Sequence, residues 1–594
     1  MEDWKAIKEY NRLWFPWLQK GGLAVLDQGL FSGANFVFNL VLPLPDRAKR
    51  GRPRDAPDLQ GAGTHPGTTK GLSTVMNQGP IDMKQASEGL GGRVASPQEA
   101  LQSDIRRLAK GAGTALLGRI GGRGLQLISQ VVLARLLGPT DFGLFALGWT
   151  VLQMSSLIAP LGLHQGVVRY GALFWRKDNG RFRSVLLQSL GVTALLATAM
   201  ALALFVAAPW LAIAVFQKPG LEAVFRGFAL GVALAATLRV AAAATRITQR
   251  MQFSVLAEDV MPPALLLVIA SVLVGPASWG LTGAVLAAVA GFAAGTGLAS
   301  LFVWRLYGRE FRAVSAASFS VRELVAFSLP ASLAGIFTML TLRVDRLLVG
   351  YFLPASDVGI YQAASQAAML SAMILAAFNA IFSPMIARLY HEGQLERLNE
   401  LFKVSTKWGL YVSLPLFLVL IVAPREVMTV VFGEPYAAGA FPMLIMAGAQ
   451  LFNAATGAVG LMLIMSGHPK RWLALSVMSL LLNIALCLAL IPRLGIVGAA
   501  LAVAFSVMSL FGGGLLEVRR LLGLWPYDRR YLKGFMAALG TLALLFILRT
   551  LLEVEQNILG LSLLAASGMA GFAGLLLLLG IDGEDRDLLH MMRG

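Results

Sequence analysis

From about Gly111 to Gly580 the chain alternates long apolar stretches with short polar breaks. Each stretch runs to roughly 20 residues or more, enough for a helix rising about 1.5 Å per residue to cross a hydrocarbon core of about 30 Å. Fourteen such intervals can be counted: 112–137, 141–165, 184–208, 223–245, 258–279, 281–304, 324–352, 357–387, 404–424, 437–465, 472–491, 495–516, 532–552 and 558–580. The runs are continuous and lack the short alternating pattern of outer-membrane strands, so the pattern predicts helices. The expected fold class is an all-α polytopic membrane protein of about fourteen transmembrane helices.

The first hundred residues depart from this rhythm. Within 1–42, the run Leu23 to Leu42 is apolar but interrupted by Asp27, and reads as a partial duplicate first helix or an interfacial segment. The charged Asp27 and the lack of a small-residue cleavage site exclude a cleavable signal peptide. Residues 43–103 are polar, basic and rich in Pro and Gly, the composition of a disordered linker.

Two internal matches point to a duplication. Pro139-Thr140-Asp141-Phe142-Gly143-Leu144-Phe145 is echoed by Ala355-Ser356-Asp357-Val358-Gly359-Ile360-Tyr361, with Asp141 and Asp357 offset by 216 residues. Gly280-Leu281-Thr282-Gly283-Ala284 is echoed by Gly495-Ile496-Val497-Gly498-Ala499, offset by 215 residues. The expected organisation is a six-helix bundle at 104–312, a second at 313–520, and two extra helices with a tail at 521–594. Six is even, so both halves enter from one side and the repeat is parallel, with a central cavity between halves. The Asp of the shared element is expected to cap the following helix and the Gly to permit a tight turn.

Composition agrees with the bilayer as solvent: 56% of the 594 residues are hydrophobic and 14% are charged. The formal net charge of +17 sets topology. Counted loop by loop, one side carries twenty-five Lys and Arg residues and the other six, namely Arg135, Lys218, Arg226, Arg425, Arg493 and Arg549. The basic side is expected to be cytoplasmic, with both ends of the helical core there. No nucleic-acid partner is needed to explain the charge. The opposite loops are short and hold Asp141 and Asp357 but no carboxylate pair suited to acid–base work, so no enzyme is expected. The single cysteine, Cys487, and five scattered histidines offer no metal cluster, and no phosphate-binding GxxxxGKS/T loop is present. No cofactor is expected.

The stretches Gln130-Val-Val-Leu-Ala-Arg-Leu-Leu-Gly-Pro-Thr-Asp-Phe-Gly-Leu-Phe145, Asp345-Arg-Leu-Leu-Val-Gly-Tyr-Phe-Leu-Pro-Ala-Ser-Asp-Val-Gly-Ile-Tyr361 and Val431-Phe-Gly-Glu-Pro-Tyr436 carry a family resemblance. Over about 104–580 the chain resembles the multidrug/oligosaccharidyl-lipid/polysaccharide flippase superfamily, in its polysaccharide transporter branch of oligosaccharide-lipid flippases. The resemblance implies a V-shaped cavity opening alternately to each side of a bacterial inner membrane. It also implies a polyprenyl-diphosphate-linked oligosaccharide as cargo for surface polysaccharide synthesis, with polysaccharide polymerase and glycosyltransferases as partners.

Charges inside the apolar intervals are the candidate chemistry, because a charge at mid-bilayer costs about 2.5–3.5 kcal/mol and persists where protein or water receives it. Arg119 and Arg123 lie four apart on one face of the first helix, about 13 Å and 20 Å beyond Lys110. Arg239 lies in the fourth interval, and Arg343, Asp345 and Arg346 in the seventh. If the first and seventh helices head the two bundles, these groups line one cavity and suit a diphosphate. Asp345 either pairs with a neighbouring arginine or responds to a proton or cation. Gln126, Gln450 and Asn453 are softer polar candidates for the cavity, or interhelical hydrogen bonds. Gly118-x-x-x-Gly122 is expected to pack closely. The competing functions are a multidrug or peptidoglycan-precursor exporter of the same superfamily, and a membrane partner of polysaccharide assembly without transport activity.

Overall fold

A computed structural model of the protein describes the backbone of residues 97–248, 250–312, 319–551 and 557–580; side chains at 97–117, 311–312, 330–335, 338, 342, 371–384 and 387 are not described. The expectation for 1–42 lies outside these residues, as does that for 43–103 apart from its last few positions, where helix has already begun.

Helices and their connections account for the described chain, and no strand occurs among the described residues. We number the helices α1 Pro97–Ile158, α2 Leu163–Phe174, α3 Asn179–Trp210, α4 Leu221–Thr245, α5 Met251–Ser254, α6 Met261–Leu273, α7 Gly280–Arg312 and α8 Val321–Phe352. Then follow α9 Ala355–His391, α10 Leu395–Val422, α11 Pro424–Phe432, α12 Ala440–Thr456, α13 Val459–Met465, α14 Pro469–Leu522, α15 Arg530–Leu551 and α16 Ile558–Leu578. Ten helical stretches among the described residues are long and apolar enough to cross a membrane by length and composition. Two of these, α1 with α2 and α14, are folded back or bent at internal breaks, at Gly138 and Gly495. The protein is a multi-pass membrane protein.

The repeat is visible in the backbone. Gly280 and Gly495, paired by the sequence match, adopt φ of +51° and +60°, a conformation that admits glycine at no steric cost, and each opens a helix. Their partners three residues on are both crowded: a Cβ on Gly283 would lie 3.0 Å from the Leu273 side chain, and one on Gly498 would fall on the Leu490 carbonyl. Two hairpins of the same shape therefore stand at equivalent places in the two halves.

Small residues set the packing inside the first half. Ala241, Ala242, Ala243 and Ala244 of α4 are all buried, so neighbouring backbones approach α4 closely, which is how helices associate where lipid removes the hydrophobic drive. Side chains then bond across the narrow gap: Thr296 Oγ1 of α7 donates to Leu234 O at 2.9 Å, and the Tyr307 hydroxyl donates to Ala244 O at 2.9 Å. Protein buries 67% of the most apolar window of α4 but 17% of those of α3 and α16. The exposed Leu195, Leu202, Val206 and Ile213 of the α3 region accordingly form part of a lipid-facing surface.

The last two helices form a satellite on the second half. Leu418, Val419 and Val422 of α10 pack with Ala537, Leu545, Leu564 and Phe572 of α15 and α16. Arg549 fastens the far end, donating to Val422 O and pairing with Glu426 at 2.5 Å.

Candidate functional site

The site is assembled on the glycines of α1. A Cβ on Gly118 would meet the Val255 side chain, and one on Gly122 would lie 2.5 Å from the Asp259 carbonyl oxygen. The Gly118-x-x-x-Gly122 spacing thus lays α1 directly on the segment Val255–Val260, as the sequence predicts. That segment is a π-helical turn between α5 and α6. The wider i→i+5 turn holds an extra residue, a device that recurs at functional sites. It presents Glu258 and Asp259 side by side, with Asp259 4.0 Å from the Arg119 guanidinium and both side chains about two-fifths exposed. The exposed Arg123, one turn further along α1, is within electrostatic range of Asp259.

α4 supplies the next groups. Arg246 at its end forms an ion pair with Glu258 in drier surroundings. Arg239 donates to Gln153 Oε1 of α1 at 3.0 Å and lies within electrostatic range of Glu258, Asp259 and Arg246. Beside them His164, on α2, has its Nδ1 sealed from water with no hydrogen-bond partner among the described residues, and feels both Arg239 and Arg246.

The second half meets this group through α8. Arg343, about 14 Å along the helix from Phe352, is within electrostatic range of Arg239, so an arginine from each half approaches the same place. Arg346, also within electrostatic range of Arg343, is engaged on the α9 side. Although Arg343 and Arg346 share a helix face, Arg346 is 7% exposed and donates to Ser365 Oγ of α9 at 2.9 Å. Asp345, 4% exposed, accepts from the Tyr361 hydroxyl at 2.7 Å. Its other oxygen, Oδ1, has no partner, nor do Arg346 Nε and Gln362 Oε1, among the described residues. Of the two readings offered for Asp345, the described residues show a hydroxyl bond from Tyr361 on the adjacent helix, with Arg343 in electrostatic range and not in direct contact.

The softer candidates bond to none of these charged side chains among the described residues. Gln126 is half-buried on α1 with no hydrogen bond among the described residues, and Gln450 accepts from Asn453 at 3.3 Å within α12. Sequence reasoning missed Glu258, Asp259, Arg246, His164 and Gln153. The predicted apolar interval opens at 258, whereas the helical path begins at Met251, placing both carboxylates within it. The adjacent Glu258-Asp259 ahead of Pro262-Pro263 was the available signal.

One end of the molecule is sealed across the halves. It is the end with few basic residues, where α1 bends at Gly138 and α8 gives way to α9. Gly143 and Gly359, the matched glycines of the repeat, face each other: a Cβ on the first would fall on the Ala355 carbonyl, and on the second on the Pro139 carbonyl. The predicted role for these glycines in a tight turn is corrected by this contact. The left-handed turn is made by Gly138, at φ +72°, while Gly143 lies within helix. Asp357 caps no backbone N–H in its role at the start of α9 but sits in the first turn, where a carboxylate favours the helix N-terminus. Around the glycines, side chains of one half cap carbonyls of the other. The Tyr436 hydroxyl donates to Ala134 O at 2.7 Å, Arg135 donates to Val431 O at 2.8 Å and to Val430 O, and Lys218 donates to Gly350 O at 2.6 Å. Toward the basic end, the halves touch where α2 meets the start of α8, with Arg169 over the Phe327 ring at 4.1 Å.

A family model described as polysaccharide biosynthesis protein matches residues 132–440, which carry the sealed end, Arg239, the acidic pair and Arg343. The chain belongs to this family. Among curated relatives of the chain are the succinoglycan biosynthesis transport protein ExoT of Rhizobium meliloti and a probable low-salt glycan biosynthesis flippase, Agl15, of Haloferax volcanii. The first is 27% identical over 57% of this chain and 65% of the relative; the second is 26% identical over 30% and 38%. The matches thus span less than two thirds of either relative. Among solved structures, the lipid II flippase MurJ in an inward closed conformation aligns with TM-score 0.63 at 11% identity, over 80% of this chain and 99% of that one. An inward-facing multidrug resistance MATE family transporter of the MOP superfamily aligns with TM-score 0.56 at 17% identity, over 69% and 98%. These likenesses show that the chain shares the fold of these two solved proteins.

Proposed function

We propose that the protein is a flippase that moves a polyprenyl-diphosphate-linked oligosaccharide from the cytoplasmic to the outer leaflet of a bacterial inner membrane by alternating access. The observation that carries this reading is the approach of Arg239 and Arg343 from opposite halves at membrane depth. Arg246 lies within electrostatic range of Arg239, and Arg119 and Arg123 lie within range of Asp259, so the carboxylates Glu258, Asp259 and Asp345 are outnumbered by the five arginines Arg119, Arg123, Arg239, Arg246 and Arg343. A guanidinium is permanently charged and offers a planar fork to phosphoryl oxygens, so an excess of arginine between two lobes suits a diphosphate headgroup. The relatives bearing glycan transport and flippase names support a saccharide-linked cargo.

In this reading 104–312 and 313–520 are the two lobes and 521–594 the appended helices. The charge-poor sealed end is outer and the basic end cytoplasmic, by the positive-inside bias. Glycosyltransferases would build the unit on the cytoplasmic face and a polymerase would consume it outside. In a strain lacking the protein, the lipid-linked unit should accumulate on the cytoplasmic face, and restoring the chain should relieve this. Accumulation of translocated, unpolymerised units on the outer face would overturn the flippase reading.

A further inference from the structure

Five arginines near one another should hold any phosphate that reaches them and release it slowly. The two carboxylates of the Val255–Val260 turn change that balance. Asp259 stands 4.0 Å from Arg119, beyond hydrogen-bond length, with both side chains partly exposed. Glu258 is bonded to Arg246 in a drier place. The same turn faces Arg123 from α1 and Arg239 from α4, and His164 of α2 feels Arg239 and Arg246. The turn is held against α1 by Gly122, whose missing Cβ leaves room for the Asp259 backbone. The carboxylates are therefore fixed in place by backbone packing and paired loosely or tightly by side chain.

We propose that Glu258 and Asp259 are resident counter-anions of the arginine cluster, occupying Arg246 and Arg119 until the diphosphate of the cargo displaces them. The inference rests on the diphosphate reading above and adds to it the residues that set how strongly the headgroup is held. In the empty protein the carboxylates lower the cost of keeping guanidinium groups inside the membrane. On binding, the doubly charged headgroup outcompetes a single carboxylate at 4.0 Å, so Arg119 turns to the ligand first and the Glu258 pair with Arg246 yields last. On release the carboxylates recapture their arginines. Such an exchange keeps affinity moderate, and a carrier that must let go of its cargo needs that.

The test uses the full chain in lipid nanodiscs with geranylgeranyl diphosphate as probe, and geranylgeranyl monophosphate and inorganic pyrophosphate beside it. Wild type should bind the diphosphate lipid, and Asp259→Asn should bind it about tenfold more tightly, with slower dissociation and slower lipid transfer. Glu258→Gln, chosen in case Asp259→Asn folds poorly, should tighten binding in the same direction. Adding Arg119→Gln to Asp259→Asn should cancel the gain. Inorganic pyrophosphate binding as strongly as the lipid would identify a free-phosphate site and overturn the cargo assignment. Binding by wild type with unchanged or weaker binding by both acid variants overturns the counter-anion role while leaving the flippase reading intact. No binding by wild type or any variant overturns both.

Discussion

Arginine, rather than positive charge as such, is what the two halves bring together. Arg343 and Arg239 lie within electrostatic range of each other with no carboxylate bonded to either among the described residues, like charges that Glu258, Asp259 and Asp345 compensate from a distance. A guanidinium tolerates this better than an ammonium, since it is more weakly hydrated and spreads its charge over a plane. Arg343→Lys should therefore retain part of the transport, because the charge remains but the bidentate fork is lost. Arg343→Gln should reduce it by about tenfold or more, the scale expected when one charged hydrogen-bonding partner of a bound anion is removed. The measurement is the rate at which lipid-linked saccharide appears on the outer face of vesicles carrying equal amounts of each protein; equal rates for all three would count against a role for Arg343 in holding cargo.

At the scale of elements, the repeat does more than build two similar bundles. Its matched glycines meet each other, so the closest approach between halves occurs where the sequence element is most alike. Neither glycine has room for a methyl group, since the obstacle in each case is backbone carbonyl, which cannot swing aside as a side chain can. Gly143→Val and Gly359→Val should therefore hold the charge-poor end apart. Cysteines placed at Ala134 and Tyr436, in a Cys487→Ser background, should become labelled by a membrane-impermeant thiol reagent in the valine variants and remain protected in the parent. Protection in all of them would show that the seal tolerates the bulk. The π-helical turn at Val255–Val260 is the second element with a defined task, widening the helix path to aim two adjacent carboxylates at arginines from α1 and α4.

For the whole molecule, we propose that the asymmetry of basic residues orients a body whose helices would otherwise fit the bilayer either way up. The six sparse cations include Arg135 and Lys218, both engaged in capping carbonyls of the opposite half at the sealed end. Single cysteines in the same Cys487→Ser background should report the orientation in intact cells. A cysteine at Pro219, between α3 and α4, should react with an impermeant reagent added outside, whereas one at Gly393, between α9 and α10, should react only after permeabilisation. The reverse pattern would invert the molecule and the direction proposed for transport. The two appended helices, fixed to α10 by apolar contacts and by Arg549, follow whichever way the core inserts.

The sequence alone determined the solvent, the helical class, the repeat and its register. These depend on properties carried locally: length of apolar runs, glycine at equivalent offsets, and charge counted loop by loop. It also marked Arg119, Arg239 and Arg343, because a charge in an apolar run is conspicuous wherever it points. What only the tertiary structure decided was partnership. Arg343 and Arg346 look equivalent on a helical wheel, yet one approaches Arg239 and the other is taken by Ser365, a difference made by α9 lying against one side of α8. Glu258 and Asp259 drew no notice at the edge of the 258–279 interval, because nothing in the local pattern reveals that the path starts at Met251 and widens by one residue. The contact of Gly143 with Gly359 was equally hidden: the two lie 216 residues apart, and only folding two copies of one hairpin toward a common axis brings their backbones together.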